Sequence, residues 1–358
     1  MSRRLLLMVG TPKGSFILES DGGRDRWDMR GPLTDGWPIH DLNWDGGSST
    51  MYAGGASPWY GPAVFRSDDL GQTWTHSSEG LAYSDGGPPI KTVWNVTPYP
   101  GGLLAGVEPA GLFRSADGGR TWSEVGGLRD HPTRPAWQPG AGGLCLHSIA
   151  AHPTDADRIW VGISAVGAFS TTDGGRTWTT RNHGVRADFL PDPYPEFGQC
   201  VHKLYRAAGE PERLFQQNHC GVYRSLDGGA NWDDITRGLP SQFGFPMVGH
   251  PRAGSTAWVI PLNGDDAGRY MPAASAAVWR TSDAGDSWQR QSAGLPQSNA
   301  YLGVLREAMA IDRLDPAGVY FGTSTGQLYG SASEGEEWSL IADHLPPIWS
   351  VESVVVEA

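Results

Sequence analysis

The chain has 358 residues and a net charge of −12, with 50 Gly and 27 Pro, well above ordinary usage of roughly 12% for the two combined. Sixteen Trp, 11 Tyr and 10 Phe supply the apolar surface of a packed core, which excludes a disordered chain. An acidic chain without a basic block argues against a nucleic-acid partner, and the longest apolar stretch, Leu5 to Val9, is far short of the roughly 18 residues of a membrane helix.

The first residues pair Arg3 and Arg4 with that short apolar run. The run is shorter than the core of a signal peptide, and no small-residue cleavage site follows. Three cysteines, Cys145, Cys200 and Cys220, are too few and odd in number for a disulfide framework. The expected compartment is the cytoplasm.

A repeat runs through the whole sequence. Ser67-Asp68-Asp69-Leu70-Gly71-Gln72-Thr73-Trp74 returns as Ser115 to Trp122, Thr171 to Trp178, Ser225 to Trp232 and Thr281 to Trp288. A shifted copy ends at Trp27, and a degraded one ends at Trp338 with Ser333 in place of Asp. The intervals between the seven Trp are 47, 48, 56, 54, 56 and 50 residues, so seven units fill the chain. Each unit carries β-rich runs before its turn, such as Leu103-Leu104-Ala105 and Leu112-Phe113-Arg114, and an outer strand after it. Seven four-stranded units predict an all-β, seven-bladed propeller of antiparallel blades, one domain over residues 1–358. The first unit lacks an inner strand, and the C-terminal run Ile348 to Val356 is expected to supply it beside Arg3 to Val9, closing the ring.

In the repeated turn, Asp accepts hydrogen bonds from turn N–H groups and Gly takes conformations other residues resist. Trp then anchors neighbouring blades. Asp117 and Asp227 are therefore expected to be fold elements and not catalytic acids.

The motif S-x-D-x-G-x-T-W resembles the Asp-box, or BNR repeat, of sialidases and related propellers, and the resemblance extends over nearly the full chain. Such propellers include sialidases, xyloglucan hydrolases, sortilin-type receptors and photosystem assembly factors, so the resemblance implies a fold more narrowly than an activity. A sialidase would carry an Arg-Ile-Pro motif near its N-terminus for an arginine triad. Here Arg3, Arg4 and Arg30 stand in other contexts. The chain is most similar to single-ring bacterial proteins of the sialidase-like or glycosyl-hydrolase-like kind.

Propeller sites form where inner strands begin. Aligning these strands places His40, Lys91, His147, His202, Phe245 and Glu307 at one repeat position, with Trp349 or Glu352 completing the ring. His219 lies nearby, and Cys145 and Cys200 precede ring histidines by two residues, which puts each pair on one side of its strand. Long loops lead to the same face: Gly127 to Pro139, His183 to Gly198 and Leu262 to Ser275, the last with Asp265, Asp266 and Arg269.

Two readings remain open. In the first the chain is an enzyme at the channel mouth, acting on a polar small molecule such as a carbohydrate. Its hydrolytic form has Glu307 as acid or base, Glu196, Asp188 or Asp41 as second carboxylate, and Arg306 as a catalytic helper. Lys91, Arg129, Arg134 and His219 would bind the ligand. Its metal form has His40, His147 and His202 holding zinc, iron or copper, which activates water or oxygen. In the second reading the propeller is a non-catalytic binding or assembly protein. No Gly-rich phosphate loop and no G-x-S-x-G elbow is present. The concentration of unusual residues in the mouth favours the enzyme.

Overall fold

In the computed structural model, which describes residues 3–357, each Trp that ends the repeated turn is followed at once by an outer strand. Asp28–Leu33 follows Trp27, Ser123–Glu124 follows Trp122, and Gln289–Gln291 follows Trp288. Three further strands complete each sheet, giving seven four-stranded antiparallel blades, a β-propeller. The first blade takes its inner strand from the far end of the chain: Ser350–Glu357 pairs with Arg3–Thr11 in register from Arg3↔Glu357 to Gly10↔Ser350. Leu5 to Val9 are all fully buried, because a middle strand of a blade is covered on both faces and reads as a continuous apolar run.

The turns are held as their composition requires. Asp117 Oδ1 accepts the backbone N–H of Arg120 and Thr121, both at 3.0 Å, and the Ser115 hydroxyl at 2.8 Å. Its Oδ2 accepts the Thr121 hydroxyl at 2.7 Å, and Ser115 Oγ accepts from Gly119 N at 2.9 Å. Gly118 and Gly119 have φ of 73° and 82°, a region open to Gly at little cost. The same bonds recur at Asp69, Asp173, Asp227 and Asp283. In the degraded copy the Ser333 hydroxyl substitutes by accepting from Glu337 N at 3.1 Å.

Contacts group the chain into two compact units. One holds the chain up to Leu42, Ala207–Glu210 and the chain from Ile235 on; its core includes Leu5, Leu7, Trp258, Tyr320, Trp338 and Val351. The other holds Asn43–Arg206 and Pro211–Asp234, with turn residues Trp122, Trp178 and Trp232 in its apolar clusters. No helix among the described residues is long and apolar enough to cross a membrane.

Candidate functional site

Three inner strands of the second unit carry a β-bulge near their start. In Thr92–Tyr99 the register slips between Val93 and Asn95, in Cys145–Ala151 between Leu146 and Ser148, and in Val201–Arg206 between Val201 and Lys203. The bulged residues are Trp94, His147 and His202. A bulge re-aims one side chain out of the pleat, which is why such irregularities gather at functional rims. Trp94, and not Lys91, is therefore the structural equivalent of the two histidines. Lys91 lies just before its strand, largely exposed and ion-paired to Glu108 at 2.9 Å, while the Trp94 indole donates to the other Glu108 oxygen at 3.2 Å.

His147 and His202 have different surroundings despite equivalent positions. His147 is fully buried, with Nε2 2.9 Å from the Val201 carbonyl and Nδ1 3.0 Å from the Ser148 hydroxyl. A carbonyl only accepts, so Nε2 carries the proton and Nδ1 receives the Ser148 hydroxyl. Both ring nitrogens are thus committed to the fold, and the metal-ligand expectation for His147 does not match this arrangement.

His202, 2% exposed, has Nε2 3.5 Å from the Cys200 thiol. The Leu214–Asn218 and Gly221–Ser225 strands are joined by the two-residue turn His219-Cys220. Val201 pairs with Asn218, so the next rung sets Cys200 opposite His219, whose N–H donates to the Cys200 carbonyl at 3.0 Å. The His202 and His219 rings meet edge-on with centroids 5.6 Å apart. Phe189, from the loop before this blade, packs edge-on against His219 at 5.2 Å. Cys200, His202 and His219 offer ligand atoms all within 4.8 Å of one another, the one such group of three His, Cys, Asp or Glu among the described residues. Neither His40 nor His147 belongs to it. The Cys145 thiol lies instead toward the Gly143 carbonyl at 3.9 Å, and burial pushes the Cys220 thiol up.

In the first unit, His40 stacks on Trp349 with centroids 4.6 Å apart. Glu307 is half-buried where Val351 N donates to its carbonyl at 2.7 Å, and the Arg306 guanidinium covers the Phe245 ring at 5.2 Å. Arg269 lies over the same ring at 5.8 Å; the Asp265 side chain is outside the described ones. In the second unit Glu196 is exposed, accepting the Thr180 hydroxyl at 3.4 Å. Arg129 donates to the Ser84 carbonyl at 2.7 Å and to Glu124 at 3.3 Å. Arg134 donates to the Ala110 carbonyl at 2.6 Å and covers Trp137 at 4.7 Å. Burial lowers the Arg134 pKa and pushes the adjacent Tyr83 hydroxyl up to about 12. These two arginines tie loops together.

Sequence reasoning passed over the exposed aromatics. Trp59 and Tyr60 stand 88% and 76% exposed at the tip between Thr50–Ser57 and Gly61–Ser67, on the side where the inner strand of that blade begins. In the first unit, Tyr301 edges a recess of about 390 Å³ lined also by Asn299, Thr325, Gln327, Tyr329 and Asp343. The signal for the tip was available: two adjacent aromatics between strand runs, where a hairpin has no core to fill.

No family model matches the chain. It is 29% identical over 194 residues to a "Probable oligoxyloglucan-reducing end-specific xyloglucanase" of Neosartorya fischeri, a match covering 52% of this chain and 21% of the relative. It is 25% identical over 274 residues to a xyloglucanase of Hypocrea jecorina, covering 69% and 30% respectively. The chain thus matches only a fifth to a third of the length of these curated relatives. Among solved structures, an ancestral GH74 enzyme is similar with a TM-score of 0.59 and 19% identity, over 85% of this chain and 38% of that one. That likeness speaks for the fold.

Proposed function

We propose that the chain is a glycosyl-hydrolase-like propeller acting on a xyloglucan-like carbohydrate, bound on the face where inner strands begin. The sequence similarity to xyloglucanases carries this reading. The exposed Trp59 and Tyr60 support it, because the C–H face of a sugar ring covers an aromatic side chain while its hydroxyls bond to polar neighbours. Glycoside cleavage takes two carboxyl groups, one giving a proton to the leaving oxygen and one assisting attack at the anomeric carbon. Glu307 is assigned one of these parts, with Arg306 beside it in the chain orienting the substrate.

The test is titration of the chain with xyloglucan oligosaccharides, followed by a reducing-end assay on the same samples. Binding with turnover that falls in Glu307→Gln supports the hydrolase. Binding without turnover favours a non-catalytic carbohydrate module, and absence of binding overturns the proposal.

A further inference from the structure

We propose that Cys200, His202 and His219 form a binding site for a divalent cation of the zinc class, held by one thiolate and two imidazoles with a fourth position open. In a tetrahedral zinc site, Zn–S of about 2.3 Å and Zn–N of about 2.05 Å place sulfur and nitrogen about 3.5–3.6 Å apart. The Cys200 Sγ to His202 Nε2 distance is 3.5 Å. The third donor, on His219, lies within 4.8 Å of the other two.

The backbone prepares this arrangement. Cys200 and His219 are opposed across one ladder, fixed by the His219 N–H to Cys200 carbonyl bond. The bulge at His202 turns its ring toward the same point. A thiol–imidazole hydrogen bond would account for one of these distances but not for the convergence of the third donor.

The donor set selects the ion. Thiolate with imidazole suits zinc and its soft or borderline neighbours, and disfavours magnesium and calcium, which take oxygen ligands. Cys200 and His219 are half-buried, so a cation reaches them from solvent and water completes its shell. Binding releases the Cys200 thiol proton to solvent. Three protein ligands and one open position is the pattern of zinc sites that do chemistry, as opposed to closed structural ones.

The experiment uses untagged full-length protein stripped with a chelator and titrated with Co²⁺, then Zn²⁺. One equivalent of Co²⁺ should give thiolate-to-cobalt charge-transfer absorption and the intense d–d bands of a four-coordinate site, and one equivalent of Zn²⁺ should abolish both. Cys200→Ser should lose the charge-transfer band, and His219→Ala should bind Zn²⁺ at least about tenfold more weakly. Both variants, altered at half-buried positions, should melt like the parent without metal. Absence of the band in the parent protein, or parental Zn²⁺ affinity in His219→Ala, overturns the site. Should Cys200→Ser fail to fold, His219→Ala decides alone. The outcome is independent of carbohydrate binding, which uses other residues.

Discussion

Gly10 faces Ser350 across the seam that joins the two ends of the chain, and the neighbouring Trp349 N–H donates to the Gly10 carbonyl at 2.8 Å. A Cβ at position 10 would lie 2.2 Å from Ser350 Oγ and 2.9 Å from the Ile39 carbonyl. The seam therefore closes only around Gly. Gly10→Val should destabilise the fold by about 1–3 kcal/mol through overpacking. Removing the chain from residue 348 on should cost more, at least about 3 kcal/mol, because the buried Val351 and Val354 leave with an eight-residue ladder. Denaturant melts check both; a truncated chain that melts like the parent would refute the role of the seam.

Asp117→Ala should destabilise by about 1 kcal/mol, the low end for lost hydrogen bonds because the turn is exposed to water. It should leave ligand binding per folded molecule unchanged. A variant that melts normally yet no longer binds would return the turn aspartates to the list of functional groups.

The turns also set an acid limit. The Thr73 hydroxyl and N–H hold the Asp69 carboxyl at about 2, and the Ser287 hydroxyl foremost holds Asp283 at about 2. Unfolded, such groups titrate near 3.9, so the unfolded chain takes up protons first as pH falls. Their stabilisation is complete above about pH 4 and disappears as pH drops through about 2. Asp69→Asn/Asp283→Asn should lower stability at neutral pH and flatten its loss between these limits. Parallel acid-unfolding curves for parent and variant would show that other groups set the limit.

The propeller was legible because its signal is local and repeated. One turn needs Ser or Thr, Asp, Gly and Trp at fixed spacing, and seven copies leave no other architecture. Of the candidate metal cluster, the sequence marked His202, His219 and Cys200 as neighbours but not their geometry. Aligning strand starts put Lys91 with His147 and His202, whereas the bulges put Trp94 there, since a bulge inserts one residue that no alternation pattern marks. The pairing of Cys200 with His219 depended on the ladder register that sets Val201 against Asn218, which brings residues 19 apart onto the next rung.

Trp59 and Tyr60 pack little of their surface, so replacing both by Ala should leave the melting midpoint in place. If a sugar covers them, affinity for xyloglucan oligosaccharides should fall roughly tenfold, the scale of one or two lost aromatic contacts. Calorimetric titration decides: unchanged affinity would move the carbohydrate away from this hairpin.

His147 and His202 occupy equivalent bulges, but only His202 joins the cluster with Cys200 and His219, so His147 and His219 should respond oppositely to substitution. His147 spans from the Ser148 hydroxyl to the Val201 carbonyl, and Ser148 Oγ in turn accepts from Leu204 N at 3.2 Å. His147→Ala empties a fully buried position and breaks this chain, which should cost about 2–4 kcal/mol. It leaves Cys200, His202 and His219 in place, so the folded fraction should retain parental Zn²⁺ affinity and the cobalt charge-transfer band. His219→Ala should do the reverse, sparing stability and losing the metal. Denaturant melts and cobalt spectra on the two variants separate the roles; loss of metal binding in folded His147→Ala would make His147 part of the site after all.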